Sequence, residues 1–215
     1  MIAGRQRLSI PRTATVAIAV LTAFVWLVVA VIGATDTAAA TMGFIPARFG
    51  GLLALSPAVP AVLTPLSSTL VHAGFLHLAF NLLMLLWCGT AVERVLGHGA
   101  LVLLYAVGAF TAAAAQWLVD PVSMVPMIGA SGAISAVIGA FALSFGQAKR
   151  IVRSPWLNRL LNAAWLLAAW VVLQMMMGWM AGGQGLLLAT PAHVGGFLAG
   201  LLLQRPLLLW RYRTA

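Results

Sequence analysis

Six apolar segments constrain what this chain can fold into. The first, at 13–34, has no charged residue over its whole length. A helix needs about 20 apolar residues to span the hydrocarbon core of a bilayer. The other five segments are expected at 75–92, 100–119, 131–145, 160–180 and 192–209. The predicted fold class is therefore an all-α integral membrane protein with six transmembrane helices.

The composition excludes an ordinary soluble domain. Of the 215 residues, 63% are hydrophobic and 7% are charged, too few charges to cover the surface of a soluble protein. The net charge of +9 would favour nucleic acid as a partner of a soluble chain. In a membrane protein the same charge favours anchoring and contact with anionic lipid, so no nucleic acid partner is predicted. The single cysteine, Cys88, excludes an intrachain disulfide.

The basic residues predict an orientation. Cytoplasmic segments carry an excess of Lys and Arg, and with six spans and a cytoplasmic amino terminus only Arg48 lies outside. The eleven basic residues inside are Arg5, Arg7, Arg12, Arg94, Lys149, Arg150, Arg153, Arg159, Arg205, Arg211 and Arg213. We expect a cytoplasmic tail at 1–12, a membrane domain at 13–209 and a second cytoplasmic tail at 210–215.

Two segments need separate interpretation. The first span ends in "ATDTAAA", which imitates the cleavage site of a secretory signal, but its length favours retention as a span over cleavage. The long segment 35–74 contains several prolines and glycines. We expect it to form short helices along the outer membrane interface.

Polar side chains inside the spans are few, and such residues are functional candidates because their burial in lipid is costly. In this topology the second, fourth and sixth spans all start at the outer side. His77, Ser131 and His193 lie near the starts of these three spans and so share one depth. Asn81 lies about one helical turn below His77 on the same face. A hydroxyl, two imidazoles and a carboxamide are thus expected to converge.

Such a group suits nucleophilic catalysis. An imidazole can take the proton of a serine hydroxyl as general base and return it to the leaving amine. The usual third carboxylate is not available at this depth, which leaves a Ser–His pair. His77, Asn81 and the backbone N–H of Ser131 are candidate donors to an oxyanion. Structural interpretations remain open: a serine bonded to its own helix turn, and a histidine or asparagine that links two helices.

Small residues predict close helix packing around this group. Gly129 and Gly132 flank the serine, and Ser131, Ser135 and Gly139 lie along one face of the fourth span. On the sixth span Gly196 and Gly200 share a face with His193. Apposing the two faces brings Ser131 to His193.

Other polar and aromatic residues are given structural interpretations. His72 and His98 are expected at the interface, and the tryptophans of the fifth span are expected to contact lipid or fill the core. The spacing of His72 and His77 does not match a helical zinc motif, so neither a metal nor a cofactor is predicted.

Three segments resemble the signatures of the rhomboid intramembrane serine proteases: "GASG", "AHVGGFLAG", and "HAGFLHLAFNLL" followed by "GTAVE". The resemblance implies a six-helix rhomboid-like bundle. It implies that Ser131 is the nucleophile and His193 its base, and that His77 and Asn81 line the oxyanion pocket. By the same resemblance, Glu93 is structural.

The sequence departs from this family at two places. Many rhomboids have an aromatic residue four positions after the nucleophile, packed against the catalytic imidazole, but this chain has Ser135 there. A hydrogen bond from Ser135, or neighbouring helices, would then have to hold His193. The Trp-Arg motif of the first outer loop is also missing, with only Arg48 nearby.

The resemblance implies an intramembrane serine endopeptidase that uses a Ser–His dyad to cleave transmembrane segments of other membrane proteins. Its site would open to the outer side of what is expected to be a bacterial inner membrane, with both termini cytoplasmic. The alternative is a non-proteolytic rhomboid-like protein that binds membrane clients. No particular oligomeric state is predicted.

Overall fold

Six apolar helices form the bundle in the part of the chain that the structure describes. The computed structural model describes residues 13–146, 152–180 and 190–213. The predicted tail at 1–12, the basic residues Lys149 and Arg150, and positions 214–215 lie outside the described residues. The long helices are α1 (Ala14–Val31), α5 and α6 (Phe75–Met84 and Thr90–Leu96, joined by a π-helical turn at Leu85–Gly89), α7 (His98–Val119), α8 (Ser131–Phe145), α9 (Pro155–Met180) and α10 (Thr190–Arg211).

The predicted spans correspond to these helices with shifts of a few residues at their ends. Five of them, with α5 and α6 taken together, are long and apolar enough to cross a membrane. The exception is α8, whose 15 residues rise about 22 Å, less than the ~30 Å of a hydrocarbon core. One end of α8 must therefore lie below the level that the other helices reach.

The segment between α1 and α5 forms short helices, as predicted: α2 (Thr35–Met42), α3 (Pro46–Phe49) and α4 (Thr64–Ser67). Proline at the start of α3 and α4 suits the first helical turn, where an N–H is not needed. The buried Arg48 donates from Nη2 to the carbonyl of Val59 at 2.9 Å, so it fastens this segment internally.

The same segment is tied to the residues that precede α8. Phe44 and Met127 exchange two backbone hydrogen bonds of 3.0 and 2.8 Å, in an isolated antiparallel bridge. Closer to α8, the N–H of Gly129 donates to the carbonyl of Ser68 at 2.9 Å. These bonds fix the backbone from which α8 begins.

The core is centred on α8, which packs most closely against α7 and α10. A Cβ atom added at Gly196 or Gly200 of α10 would overlap a backbone carbonyl oxygen of α8. On the α7 side, a Cβ at Gly132 would lie 2.6 Å from the Cβ of Ala112. The backbones therefore approach as closely as small residues allow, the arrangement that membrane helices use in place of hydrophobic burial.

Glu93 ties several helices together at the other end of the bundle. Its carboxylate accepts hydrogen bonds from the backbone N–H groups of Ala14 and Thr15 and from the Thr15 hydroxyl, which satisfies two of the free backbone donors at the start of α1. His98 contacts the same carboxylate. Arg211, at the end of α10, donates to the Glu93 carbonyl at 3.4 Å. The starts of α1 and α7 and the ends of α6 and α10 thus meet at one end.

We predict that Gly200→Ala destabilises the bundle by about 1–3 kcal/mol, because the new Cβ would overlap the carbonyl of Ala136, a backbone atom that cannot move alone. The control is Gly99→Ala, since Gly99 lies in a helix with no atom within 4 Å of an added Cβ. The free energy of unfolding in detergent measures both effects. Equal values for the two variants would contradict the proposed dependence on close packing.

Candidate active site

Ser131 and His193 lie at the starts of α8 and α10. The Oγ atom of Ser131 and the Nε2 atom of His193 are 2.9 Å apart, a hydrogen-bond distance, and the two residues are only 9% and 6% exposed. Their approach depends on the helix contact just below them, where Gly196 meets the carbonyl of Gly132. The structure therefore brings together the hydroxyl and the imidazole that the sequence placed at one depth.

Gly129 shapes the other side of the hydroxyl. Its φ of +109° lies in the region that side chains disfavour. A Cβ atom at this position would also lie 2.7 Å from both Cε1 and Nε2 of His77. The imidazole of His77 thus lies directly against the backbone that leads into Ser131.

Asn81 lies one turn below His77 and is fully buried. Its Nδ2 donates to the carbonyl of His77 at 2.9 Å, within its own helix. Its Oδ1 is buried without a hydrogen-bond partner among the described residues. The amide therefore lies beside His77. Among the described residues, its oxygen makes no hydrogen bond to a second helix.

His72 was expected at the interface, but it is buried behind His77, with the two ring centroids 4.9 Å apart. Its Nε2 accepts a hydrogen bond from the N–H of Ala130 at 3.4 Å, next to Ser131. Burial, with a smaller contribution from the nearby His77, lowers the pKa of His72 to about 3. The neutral ring can therefore keep its role as an acceptor over the ordinary pH range.

Of the two supports predicted for His193, the hydrogen bond from Ser135 is not found among the described residues. Its hydroxyl donates to the carbonyl of Ser131 at 2.7 Å and accepts from the indole Nε1 of Trp170 at 2.8 Å. The Trp170 ring meets the His193 ring edge to face, with centroids 6.3 Å apart and planes at 75°. The aromatic neighbour of the imidazole thus comes from α9, from a residue that the sequence had not distinguished from the other tryptophans of that span.

A comparison of the sequence with models of known protein families identifies the family of this chain. A family model described as Rhomboid domain matches residues 60–210. The chain belongs to the rhomboid family. With its apolar helices, this rhomboid is an integral membrane protein.

Several curated rhomboids are similar to this chain. Rhomboid protease GluP of Bacillus subtilis (strain 168) is 43% identical over 79 residues, which are 37% of this chain and 14% of that protein. Rhomboid protease GlpG of Serratia proteamaculans (strain 568) is 32% identical over 138 residues, or 64% of this chain and 45% of that protein. RHOMBOID-like protein 5 of Arabidopsis thaliana is 29% identical over 139 residues, or 65% and 42%. The chain matches less than half the length of each of these relatives.

The rhomboid site has the parts that acyl transfer needs. A hydroxyl lies within hydrogen-bond distance of an imidazole. The N–H of Ser131 belongs to the first turn of α8, where no preceding helical turn supplies an acceptor for it. Behind the serine lies a cavity of about 20 Å³, lined by Ser68, Gly129, Ser131 and Ala192 among others, which has room for one water molecule. Among the described residues, no carboxylate forms an ion pair with His193.

We predict that His72 makes stability depend on pH. Its pKa is lower in the folded protein than its ordinary value of 6.5, so between about pH 6.5 and pH 3 the unfolded chain binds a proton that the folded protein does not. Stability should therefore fall as the pH falls through this window, by up to about 1.4 kcal/mol per pH unit from this residue. In His72→Gln, which keeps a neutral acceptor, the dependence should be shallower.

Unfolding free energies of the two proteins in detergent between pH 4 and pH 7.5 test this. Above pH 6.5 the two curves should run parallel, which provides an internal control. Parallel curves down to pH 4 would show that His72 is not the titrating group.

Proposed function

We propose that this rhomboid is an intramembrane serine endopeptidase that cleaves transmembrane segments of other membrane proteins. The observation that carries the proposal is the 2.9 Å contact between Ser131 Oγ and His193 Nε2 within a membrane bundle of the rhomboid family. The rhomboid proteases among its relatives support the same reaction class.

The proposed reaction uses the Ser131–His193 dyad in two steps. His193 Nε2 takes the hydroxyl proton as Ser131 Oγ attacks the scissile carbonyl carbon, and the carbonyl oxygen becomes an oxyanion. The imidazolium returns the proton to the amine as the C–N bond breaks, which leaves an acyl-serine. A water molecule then gives a proton to His193 Nε2 as its oxygen attacks the ester carbonyl. The bond between that carbon and Ser131 Oγ breaks, the imidazolium returns the proton to Oγ, and the carboxylic acid product leaves.

The oxyanion requires donors that are already in place. The N–H of Ser131 is available at the first turn of α8, His77 lies against Gly129, and the Asn81 amide lies next to His77. We propose that these three groups stabilise the oxyanion. The proposal is supported by the contact of His77 with Gly129, two residues before Ser131, and by the hydrogen bond that places Asn81 next to His77.

The shortness of α8 supports a site below the membrane surface. Because α8 is too short to cross a bilayer, Ser131 can lie at a depth where a substrate helix is still within the membrane. A helical substrate hides its carbonyl groups, so the cleaved segment must unwind locally. Substrates with small residues near the bond and helix-breaking residues beyond it would meet that need.

The orientation proposed is that both termini are cytoplasmic and the site opens to the outer side, in a bacterial inner membrane. Arg94 and Arg211 lie with Glu93 at the end of the bundle opposite Ser131, and this agrees with an inward-facing basic end. The membrane domain would then be 13–209, between tails at 1–12 and 210–215.

We predict that Ser131→Ala and His193→Ala each lower the cleavage rate of a transmembrane substrate by at least about 10³-fold, because each removes one member of a pair that acts as a unit. The matched control is Ser144→Ala, another serine of α8, which accepts a bond from Gln204 at the far end and should cleave normally. The measurement uses purified protein in liposomes with a fluorescent substrate, together with labelling by a fluorophosphonate.

Sustained cleavage by Ser131→Ala would overturn the dyad mechanism. A wild-type protein that neither cleaves several substrates nor reacts with the fluorophosphonate, but retains them in pull-down, would support the non-proteolytic client-binding function instead.

We further predict that Gly129→Ala slows cleavage by about 10²-fold, comparable to the loss of one oxyanion donor, because the new methyl group would displace His77. Gly51→Ala is the matched control: Gly51 also has a positive φ, +76°, but no atom lies within 4 Å of an added Cβ. It therefore reproduces the backbone strain without the collision. Similar rates for the two variants would contradict a role for the Gly129–His77 contact.

A further inference from the structure

We propose that Trp170 positions the imidazole of His193, and that Ser135 anchors Trp170 for this purpose. The proposal rests on the proposed function, because it concerns the base of the proposed dyad. We assign Trp170 the role of a positioning residue, which acts through His193 and does not touch the reacting atoms. The pair replaces the single aromatic residue that many rhomboids have at the position of Ser135.

The first observation is the contact itself. Trp170 is 2% exposed, and its ring meets the His193 ring at a centroid distance of 6.3 Å in an edge-to-face arrangement. Aromatic pairs favour this geometry at separations of about 4.5–7 Å, with a gain of about 0.5–1.5 kcal/mol. The contact therefore restricts the rotation of an imidazole that no carboxylate holds among the described residues.

The second observation is that the indole is fixed relative to the nucleophile. Its Nε1–H donates to Ser135 Oγ at 2.8 Å, and that hydroxyl donates to the carbonyl of Ser131 at 2.7 Å. Two hydrogen bonds thus connect the ring that contacts the base to the backbone that carries the nucleophile. The indole therefore contacts both members of the dyad, His193 through the ring pair and Ser131 through the hydroxyl of Ser135.

The third observation is that the indole is held on another side as well. Phe80 of α5 stacks on Trp170, with ring centroids 5.8 Å apart and planes at 19°. The indole thus has three neighbours: the Ser135 hydroxyl, the stacked Phe80 ring and the His193 imidazole. These contacts leave it little freedom to rotate. Ser135 itself is fully buried, and its hydroxyl is in direct contact with the indole N–H, so we expect a large ring at position 135 to collide with the indole.

This mutual exclusion makes a specific prediction for a pair of substitutions. Ser135→Tyr alone should be strongly impaired, because the new ring collides with the indole, and Trp170→Ala alone should be impaired because the imidazole loses its neighbour. The double variant Ser135→Tyr/Trp170→Ala should recover at least ten-fold over the worse single variant, since the new ring can then occupy the space beside His193. Effects that simply multiply would contradict the shared position.

The single variants test positioning apart from folding. We expect Trp170→Leu to lower kcat about 10- to 100-fold with little change in KM, since misplacement of a catalytic group affects the chemical step. Trp170→Phe, which keeps a ring but loses the N–H, should lie between. Trp165→Leu is the control from the same helix, because Trp165 is 73% exposed and should behave as wild type.

A histidine signal provides a readout that does not depend on activity. In the wild type, ¹⁵N NMR of the His193 ring should show one tautomer, with Nε2 unprotonated to accept from Ser131. In Trp170→Leu it should show averaged tautomers and an altered pH titration, at an unfolding free energy close to that of Trp165→Leu. Labelling by a fluorophosphonate should slow in parallel with kcat.

The outcomes separate the two proposals. If the wild type neither cleaves nor reacts with the fluorophosphonate, the proposed function fails, but the NMR comparison still decides the role of Trp170. If the wild type is active and Trp170→Leu matches it in kcat, labelling rate and His193 signals, the positioning role is overturned. A loss of activity explained wholly by a lower unfolding free energy, with His193 signals unchanged, would also overturn it.

Discussion

The close packing of the α8 backbone against α7 and α10 is the constraint on which the site depends. Gly196 and Gly200 approach carbonyl groups of α8 so closely that no side chain fits between, and Gly132 meets Ala112 on the opposite side. Because the hydroxyl of Ser131 is short, the imidazole of His193 reaches it only if the two helices are this close. The same packing surrounds the site with small side chains and with helix backbone whose N–H and C=O groups are already paired, so the polar side chains there have few partners other than one another.

Much of this arrangement was predictable from the sequence, for identifiable physical reasons. Apolar segments long enough for a bilayer locate the spans, and α8 begins and ends at the predicted positions. The starts of three spans share a depth because alternate spans run in the same direction, which selects His77, Ser131 and His193. The spacing of Gly196 and Gly200 predicts one close-packing face. Each of these inferences uses only helix geometry and the cost of polar groups in lipid.

The remainder depends on how helices rotate and how loops fold, which periodicity does not determine. Trp165 and Trp170 are five residues apart, so they point in directions about 140° apart, and composition does not say which of them faces the core. In the structure Trp165 is exposed and Trp170 is buried against His193. His72 precedes α5, and its place behind His77 depends on the hydrogen bond from Ala130. The sequence did contain a hint in both cases: Ser135 stands where many rhomboids have a ring, and His72 is close to His77. Only the tertiary contacts show what these residues do.

The support proposed for His193 also has an energetic rationale. A carboxylate inside a membrane bundle costs about 2.5–3.5 kcal/mol to insert, whereas an edge-to-face ring contact gains about 0.5–1.5 kcal/mol and a neutral hydrogen bond a similar amount. The buried carboxylate of this chain, Glu93, lies at the opposite end, where several N–H and O–H donors satisfy it. A neutral indole held by a neutral hydroxyl can orient an imidazole without a second buried charge. Within a bilayer, this makes a two-residue dyad with packed aromatic support the less costly way to build a serine nucleophile.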